Sequence, residues 1–194
     1  YTKTAALVVS DVVSGANVVS GKKGLEAAAR DSRYAFFDTL PGKIATAHTA
    51  DDNAETILMH LVRGTGLKGL GGIAPKNGKL IRPLLSATRQ EVLAFLQEYN
   101  LDYVTDSSNE TDDFLRNRLR HHVMPLLHRE NPRLSENLSA MALRLRQDEE
   151  ALQRYANVEY PLQVQTLLNM APAIRLRVLD HFLKDSGVAE PESE

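Results

Sequence analysis

The chain contains no cysteine. Disulfides, thiolate metal sites and a cysteine nucleophile are therefore excluded. No apolar run approaches the ~20 residues that a membrane-spanning helix needs, and no secretory signal is visible. A cytoplasmic location without a membrane partner is the expectation. An excess of one charge sign is also missing, since the formal net charge is −2 at pH 7. Any contact with nucleic acid must then come from a local patch, not from the field of the whole molecule. No internal repeat or low-complexity tract is present. What remains is a globular composition, 43% hydrophobic and 25% charged over 194 residues, enough for one domain and part of a second.

The most informative stretch is His48–Thr56, His-Thr-Ala-Asp-Asp-Asn-Ala-Glu-Thr. It follows a short apolar run, Lys43–Ala47, and opens an amphipathic segment, so it reads as strand, turn and helix start. In open α/β sheets ligands bind at that end of a strand. On a helix Asp52 and Asp51 each share a face with Glu55. Three carboxylates beside an imidazole suit a cationic substrate, a metal, or proton transfer. The plain alternative is structural. Acids favour a first helical turn through the dipole, and Thr49 with Asp52 is a loose capping box.

Ala5–Ser10 reads as a buried strand, and Gly24–Leu40 as a helix with Leu25, Ala28, Ala29, Phe36 and Phe37 inward, ended by Pro41-Gly42. Asp51–Arg63 is a helix stopped by Gly64. Gly64–Gly72 is a glycine-dense loop, a weak signal for phosphate binding. In Lys79–Leu85, Pro83 argues against a central strand. Thr88–Tyr99 is a helix capped by Thr88 and Glu91, with Val92, Leu93, Phe95 and Leu96 as its inner face. Phe114–Leu127 begins another helix, with Pro125 at a bend or stop. Leu134, Leu138, Met141, Leu145 and Leu152 mark a long helix to about Val158, and Val164–Leu183 holds one or two more.

Two charge blocks adjoin. Asp102, Asp106, Glu110, Asp112 and Asp113 form an acidic stretch, followed by Arg116, Arg118, Arg120, Arg129 and Arg133 with three histidines. Arg116 and Arg120 point the same way on a helix, with Asn117 adjacent, a fork suited to phosphate or nucleotide oxygens. A solvated basic face paired with the acidic stretch is the equal alternative.

Taken together these words resemble the tRNA(Ile)-lysidine synthetases of the PP-loop ATP-pyrophosphatase group. Gly24–Tyr34 is similar to Glu-x-x-Ala-Arg-x-x-Arg-Tyr, and His48–Thr56 to His-x-x-Asp-Asp-x-x-Glu-Thr. Arg63–Leu70 is similar to Arg-Gly-Ser/Thr-Gly-x-x-Gly-Leu. Arg82–Leu85 matches Arg-Pro-Leu-Leu. Asp106–Asn109 and Arg116–Arg120 match Asp-x-Ser-Asn and Arg-Asn-x-x-Arg. Thr49 stands where the family often has a second His, and Asn53 where it often has Gln. The family's first strand runs into Ser-Gly-Gly-x-Asp-Ser, whereas here Ser10 is followed by Asp11-Val12-Val13-Ser14-Gly15. A segment omitted after Ser10, and further domain beyond Glu194, are the expectations.

The resemblance implies an α/β fold: a Rossmann-like PP-loop ATPase domain with a parallel sheet over 1–133, its phosphate loop missing. A connector helix over 134–158 and the truncated start of a small helical tRNA-binding domain over 159–194 follow. It implies ATP with Mg2+, and ligation of L-lysine to C2 of the wobble cytidine C34 in the CAU-anticodon tRNA(Ile), through an adenylated cytidine. Asp52 and Glu55 would hold the lysine and, with His48, carry the catalysis. Ser10, Asp51 and Arg30 would lie on the ATP side. Arg33, Arg63, Arg116, Asn117 and Arg120 would meet the tRNA or the activated nucleotide. No residues are assigned to a protein-held metal, and a homodimer is compatible. The rivals are a phosphohydrolase with His48, Asp51, Asp52 and Glu55 as metal ligands, a non-catalytic tRNA-binding fragment, and more weakly a tRNA thiolase.

Overall fold

The computed structural model describes residues 32–103, 112 and 114–188. Residues 32–39 form helix α1, the described part of the helix expected over Gly24–Leu40. Gly42, at φ +81°, follows it and turns the chain into β1 (Ile44–Ala45). The expected first strand, Ala5–Ser10, lies outside the described residues.

β1 pairs in parallel with β3 (Leu80–Ile81), Ile44 opposite Leu80 and Ala45 opposite Ile81. β2 (Lys76–Asn77) pairs antiparallel with the other edge of β3, giving the order β1-β3-β2. The expectation of a parallel sheet is therefore corrected: among the described residues the sheet is mixed. The cause is the two-residue turn Gly78-Lys79, where Gly78 takes φ +57° and reverses the chain. A second correction concerns Pro83. β3 is the central strand of these three, but it ends at Ile81, so the missing N–H of Pro83 never faces a ladder.

Helix α2 (Ala50–Arg63) is set at its start by a reciprocal capping box. Thr49 Oγ1 accepts from the Asp52 N–H at 3.4 Å, and Asp52 Oδ2 accepts from the Thr49 N–H at 2.8 Å. Such a cap contributes about 1 kcal/mol. Gly64, at φ +77°, ends the helix as expected. Beyond it the glycine stretch is not loop throughout: Leu67–Leu70 makes one helical turn, α3. His60 Nδ1 lies 2.7 Å from the Gly69 carbonyl and holds α3 against α2.

At Gly72 the backbone passes close against α2. It sits at φ +62°, and a Cβ there would lie 2.3 Å from Asn53 Oδ1. Asn53 is buried: its Oδ1 accepts from the Ile73 N–H at 2.7 Å, and its Nδ2 donates to Ser139 Oγ at 3.2 Å. Replacing Gly72 with alanine adds a left-handed backbone penalty and a clash with this anchor. We expect a loss of about 2 kcal/mol in a urea melt; an unchanged midpoint would show that the loop re-seats at no cost.

Helix α4 (Arg89–Glu98) carries the expected capping box of Thr88 with Glu91. Its expected inner face is corrected. No α4 residue is buried among the described residues, and Phe95 is 52% exposed, stacked on Tyr99 at 4.5 Å. Next come α5 (Leu115–Arg118), a π-helical turn over Leu119–Val123, and α6 (Met124–Glu130) in unbroken succession. Pro125 was expected at a bend or stop. The wide turn ahead of it starts a fresh helical segment, and Pro125 sits in that first turn, where no N–H partner is needed.

Helix α7 (Leu134–Ala156) is the long helix read from the leucine spacing. Its buried residues are small, however: Ser135, Ala142 and Ala156, which let α2 and α3 pack closely on it. Met141 stays 36% exposed. The last stretch forms two helices, α8 (Val164–Asn169) and α9 (Pro172–Asp185). α9 is docked on α7 through buried Val178 and the Arg177–Glu149 ion pair. No helix among the described residues is long and apolar enough to cross a membrane.

Candidate active site

The start of α2 and the α5–π-turn segment face each other, and their charges meet. Glu55 is 3% exposed. Its Oε2 accepts from Arg116 Nε at 2.8 Å and from Arg120 Nη2 at 2.9 Å, and its Oε1 from Arg120 Nε at 2.6 Å. Asp52 divides its two oxygens: Oδ2 closes the helix cap, while Oδ1 accepts from Arg116 Nη2 at 2.9 Å and Arg120 Nη2 at 3.4 Å. The hydrogen bonds that Arg120 donates to Glu55 raise its pKa further above the ordinary value, against the opposing effect of burial. A carboxylate this buried is tolerable only with such charge-assisted bonds.

The structural and chemical readings of the acidic helix start thus coexist. Asp52 is both cap and ion-pair partner. Asp51 reaches outward: its Oδ2 accepts from the Arg89 N–H that begins α4 at 2.6 Å, and its Oδ1 from Ser135 Oγ on α7 at 2.7 Å. His128 Nε2 lies 4.0 Å from the same Oδ1. The first turns of α2, α4 and α7 are therefore tied through one carboxylate.

The alternative pairing of the arginines with the acidic stretch holds only in part. Asp112 accepts from His121 Nδ1 at 2.8 Å and His122 Nε2 at 2.6 Å, and these bonds hold its carboxyl below the usual range. Arg118 donates to the Asp112 carbonyl at 3.0 Å. Arg116 and Arg120 instead turn to α2.

A cavity of about 1070 Å³ opens beside this network. Asp51, Asp52, Glu55, Arg120, Met124, His128 and Ser135 line it, with the first turn of α4 across from them. His48 is not among its lining residues. Its Nδ1 lies 2.9 Å from Thr46 Oγ1, and burial lowers its pKa below the ordinary 6.5, which Asp52 opposes and Arg82, Arg116 and Arg33 reinforce. His48 is consequently neutral at pH 7. Arg33, exposed on α1, is brought within electrostatic reach of His48. Asn117 is buried beside Arg116. Arg63 is not brought to the site: it is exposed at the far end of α2, about 12 Å along the helix from Glu55. Ser10 and Arg30 lie outside the described residues.

Among the described residues, no group of carboxylates and imidazoles is disposed to hold a metal ion. Asp52 and Glu55 face guanidiniums, and Asp51 faces a hydroxyl and an amide, so these residues do not fit a Mg2+ site as they stand. Two participants, Ser135 and His128, carry no local signal in the sequence, because their partner Asp51 is far away in the chain.

A parallel strand pair leading to a capped, acidic helix start that opposes an arginine fork is an α/β arrangement with a charged site at its strand end. Residues 4–127 match the family model described as the PP-loop domain, an ATP-binding module, and the chain belongs to that family. The curated relatives it resembles include tRNA(Ile)-lysidine synthases. That of Porphyromonas gingivalis strain ATCC 33277 is 49% identical over 120 residues, 59% of this chain and 26% of the relative. That of Geobacillus kaustophilus is 44% identical over 142 residues, 69% and 31% respectively. That of Bacillus subtilis is 39% identical over 164 residues, 79% and 35%. The chain spans about a quarter to a third of the length of these relatives.

Proposed function

We propose that this chain carries the catalytic domain of a tRNA(Ile)-lysidine synthase. In this reading the C2 oxygen of C34 in the CAU-anticodon tRNA attacks the α-phosphorus of ATP and pyrophosphate leaves. The ε-amine of L-lysine, once it has lost a proton, adds at C2, and AMP departs with the oxygen. The observation that carries the reading is the convergence of Asp52 and Glu55 with Arg116 and Arg120 beside one cavity, in a chain of this family. The comparisons favour neither the phosphohydrolase nor the non-catalytic reading.

The roles follow from charge. Asp52 and Glu55 accept the lysine ammonium, and one of them takes its proton. Arg116, Asn117 and Arg120 contact the activated nucleotide or the RNA backbone, with Arg33 nearby. Neutral His48, with Asp51, borders the ATP side. Arg116 and Arg120 pair with the carboxylates that the ammonium needs. A substrate phosphate draws them off and frees the carboxylates, so nucleotide comes before lysine. An anticodon loop suits the cavity because its bases are unstacked and reachable. Residues 1–133 belong to the catalytic domain, 134–158 to the connector, and 159–194 to a helical tRNA-binding part.

The test is nucleoside mass spectrometry after incubating a full-length enzyme that carries this domain and an intact phosphate loop with tRNA, ATP and labelled lysine. Lysidine carrying the label is the expected product. Pyrophosphate release without label in the nucleoside would point to a different acceptor, and neither product would count against the catalytic reading.

A further inference from the structure

A second cavity, about 400 Å³, lies on the other side of the α2 start, between the 73–75 turn, the chain after β3 and the face of α7. Arg82 and Arg146 both line it, with the hydroxyls of Ser86 and Ser139. The two guanidiniums approach the same turn. Arg82 Nη1 donates to the Ala74 carbonyl at 2.6 Å, and Arg146 Nη2 donates to the carbonyls of Ile73, at 3.0 Å, and Gly71.

Both are incompletely satisfied. The Nε of Arg82 and the Nε of Arg146 are buried without a hydrogen-bond partner. A buried N–H on a charged group is costly to leave unmade. Burial also lowers the Arg146 pKa, and the like charge of Arg82 adds to this against the pull of Glu150. Ser139 Oγ accepts from Asn53, which leaves its hydroxyl hydrogen to donate elsewhere. One carboxylate, Glu136, lines the cavity; it is 3.7 Å from Arg133 and 40% exposed, so solvent and Arg133 both draw it away.

If this were only a staple for the turn, neutral donors would serve it. Two neighbouring positive charges, two unpaired buried donors and an adjoining space are suited to an anion. We propose that this cavity is a second oxyanion subsite, taking one phosphate group between Arg82 and Arg146 with Ser139 as a neutral donor. Each guanidinium exchanges part of its carbonyl contact for a forked contact to phosphate, which brings Nε–H into use. Glu136 lines both cavities, so the subsite adjoins the larger one at the first turns of α7. The phosphate belongs either to a free anion or to an RNA backbone. The proposal does not depend on lysidine formation.

The test compares the wild type with Arg146→Gln and Arg146→Lys, using calorimetric titration with sodium pyrophosphate and anisotropy with a labelled anticodon stem-loop RNA. Arg146→Gln should weaken one of these ligands about tenfold, and Arg146→Lys, which keeps charge but loses the fork, should recover part of it. Loss confined to pyrophosphate identifies a free anion. Loss confined to RNA, with a salt slope shallower by about one, identifies a backbone phosphate. If Arg146→Gln does not fold, Arg146→Lys carries the same comparison, since the fork alone is then removed. Unchanged affinity for both ligands overturns the subsite.

Discussion

Glu55→Gln will lower the unfolding midpoint by about 10 °C, corresponding to roughly 3 kcal/mol in a chain of this size. The side chain is 4% exposed and receives three hydrogen bonds from two guanidiniums. Glutamine keeps the shape but offers one oxygen, and its amide hydrogens face a donor. Two arginines then lose their full counter-charge in a half-buried place. Arg116 and Arg120 are 32% and 22% exposed, so water recovers part of the loss and keeps the estimate at the low end of the range for broken buried pairs. A thermal melt reads the effect directly. A midpoint within about 2 °C of wild type would mean that the network contributes little to stability, as a solvent-exposed pair would.

Asp52→Asn, placed in a full-length enzyme, will separate the two half-reactions. Adenylation, followed by pyrophosphate release, should be nearly retained. Lysine transfer at subsaturating lysine should fall by at least about tenfold, the worth of a hydrogen bond to a charged group. Asparagine can still present an oxygen to the Thr49 N–H, so the helix cap is largely preserved. What it cannot supply is the negative Oδ1 that now holds Arg116 and, in the proposed reaction, the ammonium. The same exchange predicts that lysine binds more tightly once an anionic nucleotide has engaged Arg116 and Arg120. Equal loss in both half-reactions would assign Asp52 to the fold or to ATP rather than to lysine.

Much of the site was legible because its signals are local. Thr49 and Asp52, and Thr88 and Glu91, stand three residues apart, and reciprocal capping needs nothing beyond that spacing. The limits of α2 and α7 followed from Gly64 and from the apolar period. Arg116 and Arg120 share a face whether the turn between them is α-helical or widened. The inner face of α4 was misread for the converse reason. Apolar spacing states which side of a helix can be covered, not whether a partner is there. The leucine spacing marked α7 correctly, but close packing against α2 selects small side chains, so Ser135 and Ala142 are buried more deeply than the leucine stripe.

The sequence by itself determined where helices start and stop, which residues share a helix face, and the order of short words that marks a PP-loop chain. These rest on interactions within one or two turns, whose strength depends on neighbours in the chain. Tertiary structure alone decided what those faces meet. Glu55 meets Arg116 and Arg120 across 61 and 65 residues, and Asp51 meets Ser135 across 84. Leu80–Ile81 became a central strand only because the Gly78 turn brought β2 to one edge while the chain's return through α2 and α3 set the other edge against β1. Buried charge is stable only when its counter-charge arrives in the right geometry, and nothing local encodes that arrival.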